Sequence, residues 1–337
     1  MVEPKKVDLQ TRWLGFGLRS PIVLGASPLT DDIGALQAAV AAGASAIVMR
    51  SLFEEQIVAE QMAVHRYVDS HVDLDAEART FLPGNDVFPV GADPYVAQLK
   101  KIKMAVRVPV LASLNGVTPG GWLDAARRVA DAGADAIELN LYDVVIDPAQ
   151  SSGDVEARQL EVVARVASSV SVPVSVKISP FYASLPSFAA RLGSAGAKGL
   201  VLFNRFYQTD IDVDALDVRS TLSYSSPADL PLRLHGLAVL SGRSVLDLAA
   251  SGGVHSGLDA MKAILAGATV VQMTSAALQR GPGVFEVVTR ELREKLAHVG
   301  YLSSNDARGA MNLSHCPDPH AWERLNYVRI LRGWRPR

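Results

Sequence analysis

The sequence predicts a (β/α)8 barrel, and three observations carry that expectation. Eight apolar, β-rich runs recur along the 337 residues, and most are separated by stretches of helical period, as in a parallel sheet covered on both faces. Four of those runs open on one signature: Ala42-Gly43-Ala44, Ala132-Gly133-Ala134, Ala195-Gly196-Ala197 and Ala266-Gly267-Ala268. Glycine there supplies the left-handed residue that ends a helix, and the strand follows at once. The length suits a single large barrel. An open doubly wound sheet is the competing arrangement, disfavoured because eight-stranded open parallel sheets are less common than barrels.

The elements follow in order. Val7 to Leu18 alternates enough for a hairpin closing the end of the barrel opposite the active-site face. The strands fall at Pro21 to Ser27, Ser45 to Ser51, Val108 to Leu114, Ala136 to Tyr142, Val172 to Ser179, Gly199 to Arg205, Ser244 to Ser251 and Ala268 to Ala276. Val108-Pro109-Val110 and Val172-Pro173-Val174 mark two of them, since proline blocks helix continuation and its β-branched neighbours favour extended chain. In Thr118 to Ala132, Trp122, Ala125, Ala126 and Val129 recur at helical spacing opposite Arg127 and Arg128. Glu54 to Asp93 after strand 2 and Phe206 to Asp229 after strand 6 exceed ordinary loops and emerge where barrel active sites lie. Residues 1–337 form one barrel domain, and about 300–337 make a basic, aromatic tail expected to lie on the barrel or on a neighbouring subunit.

Composition excludes several function classes. With 49% apolar and 20% charged residues the chain is globular. The 33 basic and 35 acidic side chains leave a net charge of -2, so no field draws nucleic acid or an anionic membrane. One cysteine, Cys316, rules out an intrachain disulfide and fits a reducing cytoplasm. Ala35 to Met49, the longest weakly polar run, falls short of a membrane span, and the charged start of the chain lacks a signal-peptide core. Cys316 between His315 and His320 lacks a fourth ligand, so no metal site is expected.

The strand ends carry the chemistry. Strand 1 ends in Ala26-Ser27, strand 2 in Arg50-Ser51, strand 3 just before Asn115, strand 4 in Asn140, strand 5 in Lys177 and Ser179, and strand 6 in Asn204-Arg205. Asn140 and Lys177 interrupt apolar strands, where a buried cation needs a strong partner. Strand 7 ends in Ser251-Gly252-Gly253 and strand 8 in Thr274-Ser275, small residues that let backbone amides approach an anion at the usual phosphate site of barrels. A phosphate there, with amides and an amine around the rest of the mouth, suits FMN.

At this point the residues resemble a family. Asp8-Leu9 to Gly17, Pro21-Ile22, Ala26-Ser27, the run Ala132 to Asn140, Val176-Lys177-Ile178-Ser179-Pro180, Gly252-Gly253-Val254, Gly267-Ala268 and Val271-Gln272 look like dihydroorotate dehydrogenases. The resemblance implies a flavin barrel of the soluble class that oxidises (S)-dihydroorotate to orotate in pyrimidine biosynthesis, or acts on a related dihydropyrimidine. It implies that Ala26, Ser27, Arg50, Ser51, Asn115, Asn140 and Lys177 meet the flavin, that Asn140 and Asn204 hold substrate, and that Gly252, Gly253, Thr274 and Ser275 cradle the phosphate. It further implies a homodimer or an electron-transfer partner subunit.

The departures are specific. Arg50 stands where the family has lysine, and Asn140-Leu141-Tyr142-Asp143 replaces Asn-x-Ser-Cys, so Asp143 takes the position of the catalytic base. Phe81 to Asp86 replaces the family's asparagine-rich loop, and Val239 to Gly242 keeps only part of its Gly-Leu-Ser-Gly segment. Two other readings stand beside the flavin enzyme. One is a flavin-free aldolase in which Lys177 forms a Schiff base; the other is a non-catalytic flavin-binding subunit of an electron-transfer assembly.

Overall fold

The computed structural model describes residues 7–56, 92–116, 119–141, 143, 145–205, 210–219 and 223–333. The apolar runs close into one parallel barrel of eight strands: β3 (Ile22–Leu24), β4 (Ile47–Phe53), β5 (Val110–Asn115), β6 (Ala136–Asn140), β7 (Val174–Ile178), β8 (Gly199–Leu202), β11 (Asp247–Ser251) and β12 (Val270–Met273), with β12 pairing back onto β3. Every expected strand is present, each shorter than its apolar run except β4, which keeps the seven-residue length but starts two residues later. The outer layer holds α1 (Ile33–Ala41), α2 (Ala92–Ala105), α3 (Pro119–Asp131), α4 (Ser152–Ser169), α5 (Leu185–Ser194), α6 (Leu230–Leu240), α7 (Gly257–Ala266), the short α8 (Ser275–Arg280) and α9 (Val284–His298), followed by α10 (Ser304–Ala307) and α11 (Pro319–Gly333).

The expected N-terminal hairpin is β1 (Thr11–Trp13) paired with β2 (Phe16–Leu18). Its Trp13, Leu14 and Leu18 form a cluster with the inward side chains Val23, Ala46, Val48, Leu111, Ala136, Val201, Ala249 and Val270. These fully buried contacts plug the N-terminal end of the barrel. A separate, larger core lies between the strands and their helices. Polar side chains can therefore gather inside the barrel only toward the opposite end, the C-terminal ends of the strands.

One irregularity changes which side chains reach that end. The β4–β5 register shifts between Val48 and Ser51, so that Val48 and Ser51 both face inward and Met49 and Arg50 bulge out. The bulge leaves Ser113 without its regular ladder partner, and Tyr95 from α2 fills the gap. Its hydroxyl accepts from Ser113 N at 2.9 Å and lies 3.2 Å from Ser113 O, to which it donates. Burial pushes the Tyr95 phenol well above its ordinary value, which keeps this donor protonated. Removing the hydroxyl strands a buried backbone donor and acceptor. Tyr95→Phe is expected to cost about 1–3 kcal/mol, read as a lower denaturant midpoint; an unchanged midpoint would mean that other groups serve Ser113.

The long segment after strand 2 falls mostly at 57–91, outside the described residues. That after strand 6 holds a two-stranded hairpin, β9 (Asp210–Asp212) with β10 (Asp217–Arg219), and then returns to the barrel at Ser225. In the C-terminal tail, helix α11 leaves Leu325, Tyr327, Ile330 and Leu331 more than half exposed, so of the two expected arrangements these side chains do not take the one on the barrel. No described helix is long and apolar enough to cross a membrane, and no metal-binding group of side chains occurs among the described residues.

Candidate active site

Above the plug the barrel interior turns polar. On β6 the inward positions are Ala136, Glu138 and Asn140, and on β7 they are Ser175 and Lys177. Lys177 Nζ lies 2.5 Å from Glu138 Oε1, with the Lys177 side chain 7% exposed and that of Glu138 fully buried. The second carboxylate oxygen, Oε2, accepts from Gln272 Nε2 of β12 at 2.5 Å. This is the partner that a cation on an apolar strand demands, since an unpaired charge at this depth is very costly. Sequence reasoning singled out Lys177 and missed Glu138 and Gln272; the carboxylate stands two residues before Asn140 on the same strand face, a spacing that could have revealed it.

A second polar group sits beside the first. Asn140 Nδ2 donates to Ser51 Oγ at 2.8 Å and to Ser113 Oγ at 3.1 Å, and the two serine hydroxyls are 2.8 Å apart. Asn140 Oδ1, Gln272 Oε1 and Ser27 Oγ are buried without a partner among the described residues. Each such atom is costly unless something meets it. Asn115 closes the row, in register with Asn140 across β5 and β6.

Arg50 is placed differently from these. Because of the bulge, its Nε pairs with Asp31 Oδ1 at 3.1 Å, and its side chain lines a cavity of about 600 Å³ with Tyr95, Gln98 and Lys101 of α2, on the helix side of β4. Ser51, its neighbour, holds the inward position. Burial raises the Asp31 carboxyl above its usual value, and the Arg50 charge opposes that rise.

Asp143 continues the outward parity of Leu139 and Leu141, which belong to the core between strands and helices. Its Oδ2 accepts from Gln159 Nε2 of α4 at 2.7 Å, and Arg158 Nη2 lies 3.8 Å from Oδ1. Tyr182 donates to Gln159 Oε1 at 2.9 Å, completing a chain of side chains on the helix side. Asn204 is half-buried after β8, its backbone N–H donating to Ile178 O at 2.8 Å. Tyr142 lies outside the described residues.

At strands 7 and 8, Gly252 and Gly253 have φ of +91° and +85°, which a side chain rarely tolerates. The Gly253 N–H donates to Ser225 Oγ at 3.2 Å, and that hydroxyl in turn lies 2.9 Å from Ser275 Oγ. Ser225, on the segment returning from the β9–β10 hairpin, was not foreseen here; Val239 to Gly242, the stretch resembling Gly-Leu-Ser-Gly, instead lies at the end of α6, with Ser241 accepting from Asn312. Thr274 Oγ1 is accommodated by Gly25, where a β-carbon would stand 2.4 Å away. Ala26 packs on the inner apolar cluster.

With that geometry in place, known proteins can be set beside it. The family model described as dihydroorotate dehydrogenase matches residues 87–296, which include β5 to β12 and the whole Glu138, Asn140, Lys177 and Gly252-Gly253 constellation. The chain belongs to the dihydroorotate dehydrogenase family. An Aeropyrum pernix protein that provisionally carries the name dihydroorotate dehydrogenase A (fumarate) is 33% identical over 211 residues, 60% of this chain and 67% of that protein. The Thermoplasma acidophilum protein named dihydroorotate dehydrogenase B (NAD(+)), catalytic subunit, is 26% identical over 317 residues, 90% of this chain and 98% of its own length. A Geobacter protein of the same name is 30% identical over 230 residues, 66% of this chain and 75% of that protein.

Proposed function

We propose that the protein is an FMN-dependent oxidoreductase that removes two hydrogens across a ring carbon–carbon bond, with (S)-dihydroorotate as substrate and orotate as product. The observation that carries this reading is the polar layer at the C-terminal strand ends: a Lys177–Glu138 pair beside Asn140, whose carbonyl has no partner among the described residues, with a glycine cradle after β11 at the same end. These residues fit the group. Buried, unpartnered Asn140 Oδ1, Gln272 Oε1 and Ser27 Oγ suit the heteroatom edge of a ring, and the Gly253 amide already meets an oxygen.

When bound, FMN supplies the hydride acceptor. In this reading Ala26, Ser27, Ser51, Asn115, Asn140 and Lys177 surround the ring, and Arg50 lends its charge from outside the bulge. Gly252, Gly253, Thr274 and Ser275 hold the phosphate. Lys177, fixed by Glu138, presents a positive charge where negative charge develops. Asn140 and Asn204 orient the substrate amide groups. Asp143 is the proton acceptor in this reading, and it would give up its hydrogen bond from Gln159 to meet the substrate. The names of the B-type relatives, as catalytic subunits, favour an electron-transfer partner for this chain as well.

Lys177 offers the aldolase reading little support, because its amine is held against Glu138, itself held by Gln272, rather than left free in the mouth. The visible spectrum of the purified protein, with release of FMN on denaturation, tests the cofactor; a colourless protein that takes up no FMN overturns it. Asp143→Asn is then expected to retain flavin and to slow its reduction by dihydroorotate about 10²-fold, measured by stopped-flow bleaching. An unchanged rate removes Asp143 from the chemistry.

A further inference from the structure

Arg233 is a buried cation without an ion-pair partner among the described residues. It is 6% exposed and stands in the first turn of α6, the end of a helix whose dipole disfavours positive charge. Nε donates to Ser251 O and Nη1 to Asp229 O, each at 3.0 Å, and no carboxylate pairs with it among the described residues. The nearby Asp229 carboxylate is committed to Ser226, accepting from its N–H at 2.7 Å and its hydroxyl at 3.3 Å. Arg205 adds a further positive charge in the same neighbourhood. Two backbone carbonyls satisfy hydrogen-bonding groups without countering the charge, which burial opposes and the Asp229 carboxylate favours only from beyond ion-pair distance.

The guanidinium lies against the glycine cradle. A β-carbon on Gly252 would come within 3.1 Å of Arg233 Nη2. The next amide, Gly253 N–H, is aimed at an oxygen, Ser225 Oγ, which also meets Ser275. A dianion placed on this loop would find a backbone donor, hydroxyl donors and a desolvated guanidinium converging from α6, β11 and α8. Arginine offers several donors in a fixed fork that matches phosphate oxygens.

We propose that Arg233 is the counter-charge of a phosphate monoester seated on Gly252, Gly253 and Ser275. This rests on the phosphate reading of that cradle and not on which ring the phosphate carries. An arginine used only to tie α6 to the end of β11 would need its hydrogen bonds and not its charge, and the two roles separate experimentally.

The test titrates FMN, riboflavin and inorganic phosphate into the protein freed of small molecules, as wild type, Arg233→Met and Arg233→Lys. Riboflavin carries the same ring without the phosphate, so its affinity also reports that the ring site is intact. Arg233→Met is expected to weaken FMN about 10- to 100-fold, the span of a charge-assisted contact. It should leave riboflavin unchanged and abolish the rise in melting temperature that phosphate gives the wild type. Arg233→Lys should restore part of both effects. An unchanged FMN-to-riboflavin affinity ratio in Arg233→Met overturns the proposal. If the wild type binds neither flavin, the flavin reading falls and the phosphate series decides: stabilisation by phosphate that is lost in Arg233→Met upholds Arg233, and its absence in the wild type or persistence in the variant refutes it.

Discussion

Lys177→Met is expected to lower the melting temperature by about 4–7 °C and, in the flavin-loaded protein, to slow flavin reduction. The thermal part follows from the ion pair. Removing one partner leaves the fully buried Glu138 carboxylate uncompensated inside the barrel, a loss of about 3–5 kcal/mol. At about 2.1 cal/mol/K of unfolding entropy per residue, a chain of this length converts each kcal/mol into about 1.4 °C. The double variant Glu138→Leu with Lys177→Met should recover most of that stability, because a well-packed apolar pair replaces both charges. It should not recover the reduction rate, since the positive charge by the ring is gone. Separate recovery of stability and rate is the signature; a double variant no more stable than Lys177→Met would mean that Glu138 and Lys177 do not depend on each other.

Gly253→Asp is expected to abolish flavin binding, and Gly253→Ala tells why. A β-carbon at Gly253 would stand 2.6 Å from Leu230 N and 2.8 Å from its Cα, on backbone atoms that cannot swing aside. With φ at +85° the substitution is strained as well. Alanine alone should therefore push the start of α6 away and weaken FMN and riboflavin together. Aspartate adds repulsion of a phosphate, so it should weaken FMN beyond the alanine effect while matching it for riboflavin. Visible absorbance after gel filtration and fluorescence titration give both numbers. Equal FMN affinity in the two variants would place the phosphate away from this loop.

The strands were legible because an apolar run between helices has one economical place in a parallel barrel, and the glycine stops after α1, α3, α5 and α7 mark where each strand starts. Lys177 and Asn140 were legible for a related reason: a polar side chain on an otherwise apolar strand must face something polar. Arg50 was not, because a bulge is decided by the partner strand. Nothing in Met49-Arg50-Ser51 alone tells which of two successive polar residues turns inward; the register with β5 and the Tyr95 hydroxyl do. Ser225 and Arg233 escaped notice because the chain brings them back to the cradle only after the β9–β10 excursion, at a distance along the sequence that spacing cannot bridge. Asp143 was read from its place in a motif, which gives position along the strand but not direction; the parity of Leu139 and Leu141 turns it toward Gln159.

The plug formed by Trp13, Leu14 and Leu18 makes the barrel, among the described residues, a vessel that opens at its C-terminal end. Under the proposed function, reactant, product and any small oxidant that regenerates the cofactor would share one doorway and use it in turn. On the proposed function, such sharing favours a ping-pong order, in which the product leaves before a second molecule enters over the same face. An accessory subunit that shortened the cycle would have to draw electrons from the rim of that opening without blocking it.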